Sequence, residues 1–259
     1  MYILLLLITA ALGIFIYSVK RKKTRLPPPS LPDDTRIHTL LEQHVHFYRN
    51  LDSGKQSLFR ARVRHFLGSV AITGVGTVQL TELDRIYVAA SAIIPIFSFS
   101  DWSYNNLNEV LVYADTFTRD FDMQSEDRNV LGMVGTGAMN RMMILSLPAL
   151  RAGFEHNGAG NTAIHEFVHL LDKADGATDG VPEYMLPKDL VEPWIRYMRQ
   201  AIAAIRSGAS DVNPYAGTNE AEFFAVVSEY FFQKPHLLEA HHPELYRMLN
   251  KIYRPSGTS

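Results

Sequence analysis

The sequence predicts an α+β domain preceded by a membrane-spanning helix, and three observations carry that expectation. Apolar residues recur at helical spacing over several long stretches. Two short apolar runs, Glu109–Phe117 and Arg141–Leu147, have the length and content of buried strands. Tyr2–Val19 is 18 residues without a charge. With 259 residues, 47% of them hydrophobic and 20% charged, the chain can bury a sizeable core.

Taken in order, Tyr2–Val19 spans about 27 Å as a helix, enough for a bilayer core. The basic cluster Lys20–Arg25 follows the run rather than preceding it, which favours an uncleaved anchor over a signal peptide. By the positive-inside rule it places the N-terminus outside and the rest of the chain in the cytoplasm, as a single-pass membrane protein. "RLPPPSLPDD" reads as a stiff polyproline spacer. The expected organisation is an anchor over 1–19, a basic and proline-rich linker over 20–34, and one domain over 35–259.

Within that domain, Ile37 to Leu67 predicts two packed helices interrupted near "LDSGKQ", and "DRIYVAASAIIPIF" is long enough for another. "GMVGTGAMN" reads as a glycine-rich loop or hairpin before the second strand; it lacks the spacing of a phosphate loop. "RMMILS" can serve as an edge strand that accepts an extended peptide, or as a buried central one. A net charge of −2 offers no field for nucleic acid, and the absence of cysteine confines any metal to His, Asp or Glu.

Such a set of ligands stands in "NTAIHEFVHLLDKADG". With Asn161 or Thr162 as cap, Ile164, Phe167, Val168 and Leu171 form a core-facing stripe. His165, His169 and Asp172 form a separate row, and two imidazoles one turn apart can converge on one ion. Glu166 is displaced by one residue, where it can take a proton from an activated water without being a ligand. A third ligand is expected from "NPYAGTNEAEFFAVVSEYFF", whose Glu222 and Glu229 are costly to bury in so apolar a helix unless paired. Glu220, nearer the helix start, fits an exposed residue favoured by the dipole, although spacing alone barely separates it from Glu222.

"HEFVHLLDKADG" together with "YAGTNEAEFF" is similar to the Mlc titration factor A family of zinc-dependent peptidases, and "YAGTNEAEFF" also resembles part of the anthrax lethal factor catalytic domain. "FYRNLDSGKQSLFRARVRHFL", "VLVYADTF" and "MILSLPALRAGF" extend the likeness over most of the chain. The resemblance implies a zincin-like metallopeptidase domain with a small sheet packed on an active-site helix. It implies a gluzincin site with Zn2+ on His165, His169 and Glu222, Glu166 as general base, and Tyr215 supporting the transition state. A zinc metallopeptidase acting on a peptide or protein follows, an aminopeptidase mode being one option. The alternative is a regulatory binding module that sequesters a transcription factor or membrane-proximal protein with slow or no proteolysis. The partner of the family's cytosolic members is not carried over, because this chain departs from them in its predicted span.

Other polar residues read more plainly. Asp172 either orients an imidazole or caps the loop "DKADGATDG", which lacks EF-hand spacing and fits a turn better than a calcium site. His44 and His46, and His241 and His242, have no recognisable carboxylate partner nearby and read as solvated or capping histidines.

Overall fold

The computed structural model describes residues 31–99, 102–115, 131–135, 140–155 and 160–254. The predicted anchor and residues 20–30 of the predicted linker lie outside them; among the described residues no helix is long and apolar enough to cross a membrane.

The chain enters through α1 (Asp34–His44), a single turn α2 (His46–Arg49) and α3 (Ser53–Ser69). The break near "LDSGKQ" has a local cause: Asp52 caps α3 by accepting from the Lys55 amide at 2.9 Å, as Asp33 caps α1 through Arg36 at 2.7 Å. Strand β1 (Ala71–Gly74) follows, then α4 (Glu82–Ile96), opened by a reciprocal capping box between Thr81 and Asp84. Buried Asp84 also takes two hydrogen bonds from Arg151, at 2.7 and 2.9 Å, tying the start of α4 to α5 (Leu147–Ala152).

The sheet has the order β1-β2-β4-β3, with β2 (Glu109–Tyr113), β3 (Gly132–Val134) and β4 (Met142–Ser146). β1, β2 and β4 run parallel, whereas β3 returns antiparallel to β4 with Met133 opposite Ile144. An α+β fold with a small mixed sheet is therefore observed, and the Gly132–Val134 part of "GMVGTGAMN" supplies its antiparallel strand. "RMMILS" is a central strand, not an edge. Its partners on both sides consume its main-chain groups, and Met143, Ile144 and Leu145 are fully buried. The outer strand on that side is β3, whose odd-numbered residues bond β4 (Ser146 N to Leu131 O, Gly135 N to Met142 O). Gly132 and Val134 accordingly turn their backbone outward.

The remaining helices are α6 (Thr162–Asp172), α7 (Val191–Arg206), α8 (Glu220–Gln233), α9 (Pro235–His241) and α10 (Pro243–Tyr253). α6 is enclosed: it packs on α4, α8, β3 and β4, and its Ile164, Phe167, Val168 and Leu171 join the core with Val110, Met143, Phe223 and Phe224. Burying those four side chains contributes roughly 1.5–3 kcal/mol each against exposure. That packing is what holds the neighbouring row of the helix in place.

Candidate metal centre

α6 starts where it does because Asn161 works in two directions. Its Oδ1 accepts from the Ile164 amide at 3.0 Å, and its Nδ2 donates to the Gly153 carbonyl at 2.9 Å, so the cap is fastened to the end of α5. α8 starts in the same manner, Asn219 accepting from the Glu222 amide at 2.9 Å. Each helix then presents its polar residues to the other.

His165, His169 and Glu222 meet there. Glu222 Oε2 lies 3.0 Å from His165 Nε2 and 3.3 Å from His169 Nε2, and the two Nε2 atoms are 3.1 Å apart. Tetrahedral coordination at about 2.0–2.1 Å sets donor atoms about 3.3 Å apart, so this triangle needs little adjustment to hold a transition-metal dication. Among the described residues it is the His, Asp and Glu group compact enough to do so. The electrostatics agree. Burial alone would lower the His165 imidazole, but Glu222 and Glu229 outweigh it and push it up to about 10. Against the raising effect of burial, the two imidazoles hold Glu222 well below the usual carboxylate range. Such surroundings favour positive charge.

Glu166, next in sequence, is only 5% exposed and points to β3. The Val134 amide donates to its carboxylate, and a Cβ at Gly132 would lie 2.8 Å from Glu166 Oε1 and 2.7 Å from its Cγ. A glycine in β3 is therefore what lets the strand approach this side chain. Burial raises the Glu166 carboxyl, Glu222 adds to the effect, and His165 and His169 oppose it. A carboxylate shifted upward is suited to accept and return a proton near neutral pH.

Tyr215 sits on a one-turn helix (Pro214–Gly217) held by Asn213, with its ring centroid 6.1 Å from that of His165 and half its surface exposed. All five residues singled out for catalysis or metal binding thus lie together. Glu220 is exposed at the start of α8 and takes no part.

One of the two alternatives for Asp172 is realised, and the reading of His241 and His242 changes. Asp172 ends the ligand row, yet its Oδ2 accepts from the Gly180 amide at 2.9 Å and its Oδ1 has no hydrogen-bond partner. It caps the following loop, where Gly180 has φ +76° and lies against the Glu220 carbonyl, a position that only glycine suits. His241 and His242 do have a carboxylate partner, Asp211, at 2.6 and 2.5 Å. That partner lies thirty residues away in sequence, so it could not be seen as nearby.

Glu229, which the sequence offers beside Glu222 as a carboxylate in need of a partner, stands outside the donor triangle. Its Oε1 accepts from the Asn161 amide at 2.7 Å and its Oε2 is 3.4 Å from His165 Nδ1. The available signal was its place seven residues after Glu222, on the same stripe of an apolar helix.

Comparison with known proteins gives the family. The profile of the family described as glucose-regulated metallo-peptidase M90 matches residues 18–254. Mlc titration factor A of Pectobacterium atrosepticum is 30% identical over 205 residues, covering 73% of this chain and 75% of that protein. Mlc titration factor A of Salmonella arizonae is 27% identical, covering 79% and 85%. An uncharacterised protein of Synechocystis is 29% identical, covering 83% and 82%.

Proposed function

Because the chain belongs to the glucose-regulated metallo-peptidase M90 family, a family whose chemistry implies a catalytic metal, we propose that it is a zinc-dependent peptidase working at the His165–His169–Glu222 group. The observation that carries the proposal is the convergence of two imidazole nitrogens and one carboxylate oxygen beside a buried, separately held Glu166. Zinc at that group would supply Lewis acidity, bringing a water pKa to about 7 and polarising a peptide carbonyl. His165, His169 and Glu222 hold it. Glu166 takes the proton of the attacking water and passes it to the leaving amine. The Tyr215 phenol donates to the oxygen that becomes negative as the carbonyl turns tetrahedral. The outward-facing backbone of β3, apart from the Val134 amide that Glu166 already takes, offers a rail on which an extended peptide is laid by main-chain hydrogen bonds.

A structural zinc site needs no base beside its ligands, which is why the enzyme reading is preferred. The relatives' printed name, titration factor of Mlc, supports a second reading in which the domain sequesters a regulatory protein. The charge-free Tyr2–Val19 run followed by Lys20–Arg25 supports a single-pass anchor with the domain in the cytoplasm. Peptide hydrolysis measured alongside metal content for wild type and Glu166→Gln separates the two readings. We expect the variant to keep its zinc and lose roughly 10²- to 10⁴-fold in rate. Full hydrolysis by Glu166→Gln sinks the general-base assignment, and no hydrolysis by zinc-loaded wild type across a peptide library favours sequestration.

A further inference from the structure

We propose that Glu229 is a positioning residue that uses the two oxygens of one carboxylate to hold both the start of the catalytic helix and the tautomer of a metal-binding imidazole, in a slot kept open by Gly160. The inference rests on the metal site proposed above. Glu229 lies outside the donor triangle. It approaches His165 from the opposite ring nitrogen, with Oε2 3.4 Å from Nδ1, while Oε1 accepts from the Asn161 backbone amide at 2.7 Å. Asn161 is the residue that caps α6. One side chain on α8 thus grips the first turn of α6 at two points, across the helix pair that also carries Glu222.

The chemistry of the two contacts explains why a carboxylate is used. A proton on Nδ1, directed at Oε2, leaves the Nε2 lone pair facing His169 and Glu222. An amide of the same shape has a single oxygen. If that oxygen accepts from Asn161, its NH2 faces Nδ1 and draws the imidazole proton to Nε2, the nitrogen that must stay bare. If it accepts from His165 instead, the Asn161 amide is left without its partner. Glutamine therefore preserves packing and defeats the function.

Gly160 makes the arrangement fit. A Cβ there would stand 1.7 Å from Glu229 Oε1 and 3.0 Å from its Cδ. The obstructed atoms are the far end of a flexible side chain, so Gly160→Ala is expected to swing the carboxylate away while the helices stay in place. It displaces Glu229 without removing it.

The test is zinc affinity of the full chain, read by competition with a chromophoric chelator, with circular dichroism and thermal melting of the zinc-free proteins. Glu229→Ala and Glu229→Gln are each expected to bind zinc roughly 10- to 100-fold more weakly, with glutamine no better than alanine. Gly160→Ala is expected to weaken zinc by a similar factor and to add no further loss in the Glu229→Ala background. Wild-type affinity in Glu229→Gln overturns the proposal, as does a Gly160→Ala loss that adds in full to that of Glu229→Ala. Where a Glu229 variant fails to fold, Gly160→Ala alone decides, weak zinc supporting the proposal and wild-type zinc refuting it. His165→Ala distinguishes the two levels: unchanged zinc in that variant means the metal site itself is wrong, whereas lost zinc there with retained zinc in Glu229→Gln defeats only the role of Glu229.

Discussion

Two regions of this chain set a pair of imidazoles against a carboxylate, one at the junction of α6 and α8 and one on the surface beside α9. At the first, His165 and His169 direct Nε2 toward a single oxygen of Glu222, and each other, at 3.0 to 3.3 Å. At the second, His241 and His242 take different oxygens of Asp211, at 2.6 and 2.5 Å, and about half of the Asp211 and His241 side chains is exposed. Helical spacing accounts for the contrast. Residues four apart share a face, so their side chains converge; adjacent residues diverge and can only bracket a carboxylate from two sides. Convergence on one point, with burial to remove competing water, is what suits the first group to a metal ion and leaves the second a hydrogen-bonded surface latch.

The sharpest way to break that contrast is to remove the carboxylate from each cluster. Glu222→Ala is expected to weaken zinc by more than about 100-fold, beyond what loss of a supporting residue costs, and to take hydrolysis to background. Asp211→Ala is expected to leave both untouched, as read by chelator competition and peptide assay. Tyr215→Phe comes next. Removing one donor to the developing oxyanion should lower kcat by about 10²-fold with zinc content unchanged, and a variant as fast as wild type shows that Tyr215 only packs.

A smaller effect sits at the other end of α6. Burial raises the Asp172 carboxyl to about 6, against about 3.9 in an unfolded chain. The folded value being the higher one, the contribution of this group is intact below pH 4 and is lost as pH rises through 6. Asp172→Asn, which keeps an acceptor for Gly180, should therefore improve relative to wild type by roughly 2–3 kcal/mol between pH 4 and pH 7 in denaturant melts. Parallel curves for the two proteins contradict the assignment. Smallest is the surface latch: His241 and His242 hold Asp211 below the ordinary carboxylate range, so its contribution is present above that range and fades as pH falls through the lowered value. Exposed as it is, Asp211→Asn should cost no more than about 1 kcal/mol at neutral pH.

Much of the site was legible in sequence because it is written in helical periodicity. Ile164, Phe167, Val168 and Leu171 declared the buried face of α6, and the ligand row beside it followed from geometry. The choice of Glu222 over Glu220 needed the resemblance, since both carboxylates precede the same apolar run and only the direction in which α8 leaves Asn219 turns Glu220 outward. β1 went unseen because Ala71–Gly74 is four residues long with one buried side chain, too short for an alternation to register. The central place of β4 depends on β3, a strand formed from glycine-rich sequence. Glu229 and Asp211 share a different obstacle. Their partners, Asn161 and His165 for one and His241 and His242 for the other, come from distant segments that only the fold brings near.

The most direct test of the central claim is zinc stoichiometry by elemental analysis of wild type, His165→Ala and the double variant His241→Ala/His242→Ala, each purified and dialysed identically. One zinc per chain in wild type and in the surface double variant, with none in His165→Ala, is the expected result. Zinc retained by His165→Ala, or lost from the surface double variant, contradicts it.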